Sequence, residues 1–437
     1  MSLATLPPEI FSNIVEHLSP FRSTSSLEWL EDYYDSSIKQ QALWSISKTC
    51  KHLRLAVEPF LFEYISRDNF QVFCGRALDD PSVFQLVKSL NTTRFEFNND
   101  RTSPFKRELS KLGLDSTTYD EFAAIEQPAC AELMLAVATN TQCLQFEMDL
   151  IDDGPTNSFL EQWFERLDPL PGLPNLRSLE IIGDLVREGV SCWSLAQAVL
   201  IGAAPNLEKL RLAYQNYAWD SPLPIVETAA DVTRYLDRLA PGLANLRRLE
   251  FTEVAIINEE LPMSYFRGFL EKCYKLETLV FQAEGSAFLD IRVGYDPEPS
   301  PAQLLDTILP VSGTLKDLEV TLKDHWEVEA NGLIRRDQLL QFKQLRKLSL
   351  YERCFCRKFI EPRPVNVDME MGLVDILPPF IEILIITCAK EEIGLGDVEA
   401  LIARVDRFPA LREVWMETDH YPYHNERNDG RLLFKKE

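Results

Sequence analysis

Cys354, Cys356, His420 and His424 are the residues of this chain best suited by type to hold a metal ion. A structural zinc takes four thiolate or imidazole ligands in a tetrahedron. Cys354-Phe355-Cys356 and His420-x-x-x-His424 contain such a set, but they lie far apart along the chain, in separate structural units. The cysteines are expected at the rim of their unit and the histidines in a polar tail, His420 to Glu437. The acidic pairs Asp152-Asp153 and Glu259-Glu260 do no better, because neighbouring side chains of an extended chain point apart. Gly394-Leu395-Gly396 lacks the third glycine and the lysine of a phosphate-cradling loop. H-E-x-x-H and G-x-S-x-G do not occur. No catalytic constellation emerges, and the expectation is a chain that is not an enzyme and holds neither metal nor cofactor.

The elements that would position any site follow from a recurring beat: apolar, two others, apolar, one other, apolar. It is written eight times. The instances are Leu176-Leu179-Ile181, Leu207-Leu210-Leu212, Leu246-Leu249-Phe251, Leu276-Leu279-Phe281, Leu315-Leu318-Val320, Leu345-Leu348-Leu350, Ile381-Leu384-Ile386 and Leu411-Val414-Met416. The last two apolar positions fall on one face of a strand, and such a strand buries that face only by stacking on others. Between the beats lie helical spacings, including Val232-Tyr235-Leu236-Leu239, Tyr265-Phe266-Phe269-Leu270, Leu304-Leu305-Ile308-Leu309 and Val398-Leu401-Ile402-Val405. The spacing predicts an α/β fold, a curved leucine-rich-repeat solenoid with parallel strands inside and helices outside. Its units are long and irregular, 30 to 39 residues from beat to beat. Val87-x-x-Leu90 and Leu144-x-Phe146 read as two earlier, degenerate units.

The 437 residues are 46% hydrophobic, ample for a long core. The net charge of −23 disfavours a nucleic-acid backbone or an anionic membrane surface as partner. Nine cysteines without paired spacing suggest reduced thiols, and the first residues lack the pattern of a secretory signal. A cytoplasmic or nuclear location is therefore expected.

Near the N-terminus a short helix is expected from Leu6-Pro7-Pro8-Glu9-Ile10, with Ile14 and Leu18 continuing one face. A second apolar-periodic segment runs from Leu43 through Ile46, Cys50, Leu53 and Val57 to Phe62. These positions, with Ser47-Lys48-Thr49-Cys50-Lys51-x-Leu53-Arg54 and Pro59-x-Leu61-Phe62, resemble an F-box, in the form that precedes leucine-rich repeats in filamentous-fungal proteins. The resemblance implies a small helical module that docks on a Skp-type adaptor and, through it, a cullin scaffold. On that reading Leu6, Pro7, Ile10, Ile14, Leu18, Ile46, Cys50 and Leu53 contact the adaptor. Phe21 to Gln41 depart from the family pattern as an acidic, aromatic insert that either folds over the helix faces, against adaptor binding, or loops outward, which chain closure easily accommodates. The domains expected are a helical module over 1–65, the repeats over 66–420 and a polar tail over 421–437.

Residues alternating with the buried pair would line the hollow of the solenoid. Among them Lys209, Arg211 and Arg248 form a basic trio suited to an acidic or phosphorylated peptide. Tyr351, Ile383, Ile385 and Trp415 form an apolar end with the composition of an interaction hot spot. The functional expectation is a substrate receptor of an SCF-type ubiquitin ligase, its hollow holding a target protein. Two alternatives are a repeat scaffold or regulator outside any ligase, and a GTPase activator presenting a rim arginine.

Overall fold

In the computed structural model the chain divides into two compact units, residues 1–182 with 195–207, and residues 183–194 with 208–437. The residues described are 6–19, 29–91, 134, 137–148, 173–184, 200–215, 229–252, 260–283, 300–322, 332–355, 373–388, 391–418 and 431–435.

The first unit starts with α1 (Pro8–His17), whose first turn carries Glu9 and is closed by Phe11 N–H donating to Pro7 O at 3.0 Å. Phe11 and Val15, one turn apart, are its buried face. The following helix, α2 (Trp29–Ser47), includes residues 29–41, so this part of the insert is helical. Its end is set by two hydroxyls: Ser47 donates to Trp44 O at 2.8 Å and Thr49 to Ile46 O at 2.7 Å. Side chains that take up the last carbonyls in this way end a helix. Cys50 then runs extended, and α3 (Lys51–Leu61) buries Leu53, Val57 and Leu61. The periodic segment from Leu43 to Phe62 thus spans the end of α2 and the whole of α3.

Strand β1 (Tyr64–Ile65) follows directly, then α4 (Arg67–Asp79), β2 (Ser89–Asn91), β3 (Cys143–Met148) and β4 (Ser178–Asp184). β1 pairs parallel with β2, and β2 with β3. Trp44, Phe62, Phe73 and Phe84 make a chain of edge-on ring contacts, 6.4, 5.6 and 5.4 Å between centroids, joining α2, the end of α3, α4 and the turn at 81–86 in one core. Leu90 and Leu144, from the two degenerate units, are fully buried.

The second unit contains β5 (Lys209–Gln215), α5 (Ala229–Leu243), β6 (Arg248–Thr252), α6 (Glu260–Leu270), β7 (Thr278–Ala283), α7 (Pro301–Ile308) and β8 (Asp317–Leu322). It continues with α8 (Arg336–Leu339), β9 (Lys347–Tyr351), α9 (Leu373–Ile376), β10 (Ile383–Cys388), α10 (Glu391–Ile402), β11 (Glu413–Thr418) and β12 (Arg431–Lys435). Strand order follows chain order, with β5 to β11 parallel and in register: Leu210, Leu249, Leu279, Leu318, Leu348, Leu384 and Val414 form one row. The sheet does not close on itself. β12 runs antiparallel to β11, so residues 431–435 of the expected tail are a strand that covers the edge of the last parallel one.

The apolar face of the sheet packs on the helices. Phe251 meets Phe266 and Phe269 of α6 at 5.1 and 6.5 Å, and Phe266 meets Phe281 at 6.1 Å. Neighbouring helices approach closely where a residue is small: a β-carbon on Gly268 would lie 2.6 Å from Leu236 Cδ1. Gln338 of α8, buried, donates to Ala302 O at 2.9 Å and to Asp306 at 2.7 Å, tying α8 to α7.

Irregular spacing hides a regular joint. In six successive steps of the second unit one carbonyl (Glu208, Arg247, Glu277, Lys316, Arg346, Glu382) accepts two consecutive N–H groups of the next strand. Glu63, Lys88 and Gln142 do the same in the first unit. The variable length is taken up between strands, not at them.

Candidate functional site

Two surfaces gather the residues singled out by sequence. In the first unit, the burial of Phe11 and Val15 turns the adjacent positions of α1 outward: Pro7 is exposed, Ile10 is 49% exposed, and Leu6, Ile14 and Leu18 are half-buried. Cys50 is exposed between α2 and α3. Ile46 and Leu53, by contrast, are 8% and 3% exposed; they are core of the helical module and cannot reach a partner. The reason is the break at Thr49-Cys50, which turns α3 so that Leu53, Val57 and Leu61 face inward. Outward on α3 stands Leu55, 58% exposed, in a cleft of about 470 Å³ lined also by Cys50, Lys51, Arg54, Glu58 and Arg76. Arg76 is held there by Glu58 at 2.5 Å.

The helices are anchored to the first strands through Glu63. Its carboxylate accepts from Ser19 Oγ at 2.6 Å and from Lys88 Nζ at 2.5 Å. Its backbone carbonyl accepts the N–H groups of Lys88 and Ser89. No sequence motif marked Glu63.

In the second unit the sheet face opposite the helices carries the other candidates, arranged in rows by register. One row is Lys209, Arg248, Thr278, Asp317, Lys347, Ile383 and Glu413. The next is Arg211, Glu250, Val280, Glu319, Ser349, Ile385 and Trp415. The basic trio falls on two neighbouring strands, Lys209 opposite Arg248, but its two arginines converge on an acid: Glu250, buried, pairs with Arg248 Nε and lies 3.8 Å from Arg211 Nε. Ile385 and Trp415 are register partners with Ile383 beside them, all three half-buried. Tyr351, expected in that cluster, is 0% exposed and is core instead. Leu432 of β12, which sequence had left in the tail, faces Trp415 and is 39% exposed. Trp415 Nε1 donates to Glu413 at 3.0 Å.

Acidic groups crowd this end. Lys347 Nζ lies 3.7 Å from Asp317, and Gln282 Nε2 donates to Glu319 at 2.6 Å. Burial pushes the Asp317 carboxyl above its usual range, offset in part by Lys347 and Arg248. Burial raises Glu319 as well, against the Gln282 hydrogen bond. Glu417 is raised by burial and by the negative charge of Glu319.

Among the described residues no group of His, Cys, Asp and Glu is arranged to hold a metal ion. Cys354, one of the zinc candidates, is buried and its thiol is pushed up to about 12 by that burial; Cys356, His420 and His424 lie outside the described residues. No described helix is long and apolar enough to cross a membrane.

A missed signal is plain in retrospect. The residue three before the first apolar position of the beat closes a turn onto it and is buried, as with Leu173, Ala204, Leu243, Cys273, Phe342 and Phe408. In the first unit Asn140, Asn175 and Asn206 each donate to a carbonyl of the preceding repeat, at 2.9, 3.2 and 2.7 Å. Asn175-Leu176, Asn206-Leu207 and Asn245-Leu246 repeat in the chain and could have extended the pattern. Neither a family model nor a curated protein matches the chain.

Proposed function

We propose that the chain is a non-catalytic substrate receptor of an SCF-type ubiquitin ligase, its N-terminal helices acting as an F-box and its strand-and-helix units as leucine-rich repeats. The reading has α1 seated on a Skp-type adaptor and the sheet face opposite the helices holding the target protein, so that binding raises the target's local concentration near a ubiquitin donor. One observation carries it. An amphipathic helix with its core face filled by Phe11 and Val15 still shows a second apolar edge, Pro7, Ile10 and Ile14, to solvent. Such an edge gains little from folding and is the composition of a contact for another chain.

Ile10→Glu in the full chain tests the reading. Loss of a central apolar anchor should weaken co-purification with a Skp-type adaptor by at least about tenfold. The melting temperature should stay that of wild type. Leu6→Ala with Pro7→Ala should act in the same direction. Undiminished capture by these variants, or a folded wild-type chain that captures no adaptor, overturns the assignment and leaves a repeat scaffold as the reading.

A further inference from the structure

The two ends of the sheet face opposite the helices in the second unit differ in how far their charges are met. At β5 and β6, Arg211 and Arg248 converge on Glu250, so an anionic partner would have to displace a carboxylate already in place. At β8 to β11 the balance is reversed. Asp317, Glu319, Glu413 and Glu417 share the face with Lys347, and Lys435 approaches Glu413 at 3.7 Å from the edge strand. Glu319 is satisfied by a neutral amide, not by a cation.

Between these carboxylates stand Ile383, Ile385 and Trp415, extended to the edge by Leu432. We propose that this β8–β11 face is the docking site for a cationic extended segment of the target protein, pairing a lysine or arginine with a large apolar residue. The inference rests on the receptor reading above and adds the sign and pattern of what is received. Charge complementarity decides the occupant: a partner cation beside Glu319 or beside Glu417 meets a half-buried acid, and the chain's net charge of −23 steers cations toward this face. Trp415 and Ile385 supply the apolar anchor. Three strand spacings of about 4.8 Å separate β8 from β11, a span that about four extended residues cover.

The test is selection of random peptides displayed on phage against the full chain. Enriched peptides should carry lysine or arginine within a few residues of Trp, Phe, Leu or Ile. Binding of a synthesised winner should fall by at least about tenfold with Glu319→Gln/Glu417→Gln, and likewise with Ile385→Asp. The amide pair keeps the shape of the site, so it separates a charge effect from misfolding. Enrichment of acidic or phosphate-mimicking peptides, no enrichment, or binding indifferent to these variants would overturn the proposal. So would a wild-type chain that sediments as a dimer and becomes monomeric in the amide pair, since the occupant would then be a second copy. Adaptor capture is scored on the same preparations: its loss with peptide selection intact strikes the receptor reading alone, and the reverse strikes this inference alone.

Discussion

Ser19 Oγ donates to Glu63 Oε2 at 2.6 Å, joining the residue just after α1 to the one just before β1 across 44 positions of sequence. Both are buried. With Lys88 on the other oxygen, Glu63 turns three separate segments into one body. The end of α1 is therefore tied to the start of the sheet.

Glu63→Ala should for that reason destabilise the first unit by about 1–3 kcal/mol, because Ser19 loses its partner while remaining enclosed. Chemical denaturation of the full chain checks it; a change below about 0.5 kcal/mol would show that the contact is dispensable.

Leu348 is fully buried in the leucine row, between Leu318 and Leu384. Leu348→Ala should cost on the order of 2–5 kcal/mol through lost burial and the cavity left behind. An unaltered denaturation midpoint would mean that the row does not interlock.

Glu319→Gln should stabilise the protein near neutral pH and do nothing near pH 4. The sign follows from the raised carboxyl. The folded state holds its proton more tightly than the unfolded chain, so that stability is complete at low pH and is lost as pH rises through the folded value. Removing the charge removes the loss. Thermal melts of both forms across pH 4 to 8 should show curves that meet at the acid end and separate by a few degrees at most above it.

Cys50 should react with a thiol reagent at once in the native protein, while Cys74, Cys273, Cys354 and Cys388 should wait for unfolding. Cys50 is exposed and the other four are buried. Burial also holds Cys354, at about 12, in its unreactive protonated form. Mass spectrometry of peptides labelled before and after denaturation distinguishes the two groups.

The strands were legible because their spacing is local. Six residues are enough to write the beat, and a strand that must bury alternate side chains has no freedom to vary it. Leu179, Leu210 and Leu348 could therefore be placed in a core from the chain alone, and all three are there. The strand at 431–435 was not legible, because Leu432-Leu433-Phe434 is too short to alternate and acquires its register from β11. The helix over 29–41 was missed for a related reason: its residues lack the apolar period that marks a helix by one face.

Sequence by itself determined which positions are buried in the repeats and that the alternating set lies on the other face. Tertiary structure alone decided what that other face offers. Arg211 and Glu250 are 39 residues apart and become register partners; the acid that Arg211 meets is thus supplied by the neighbouring strand. Tyr351 went into the core and Leu432 came out beside Trp415. Periodicity records a residue's face, whereas charge balance and exposure depend on what the adjacent strand places within a few ångströms, and the lengths between strands leave that unspecified.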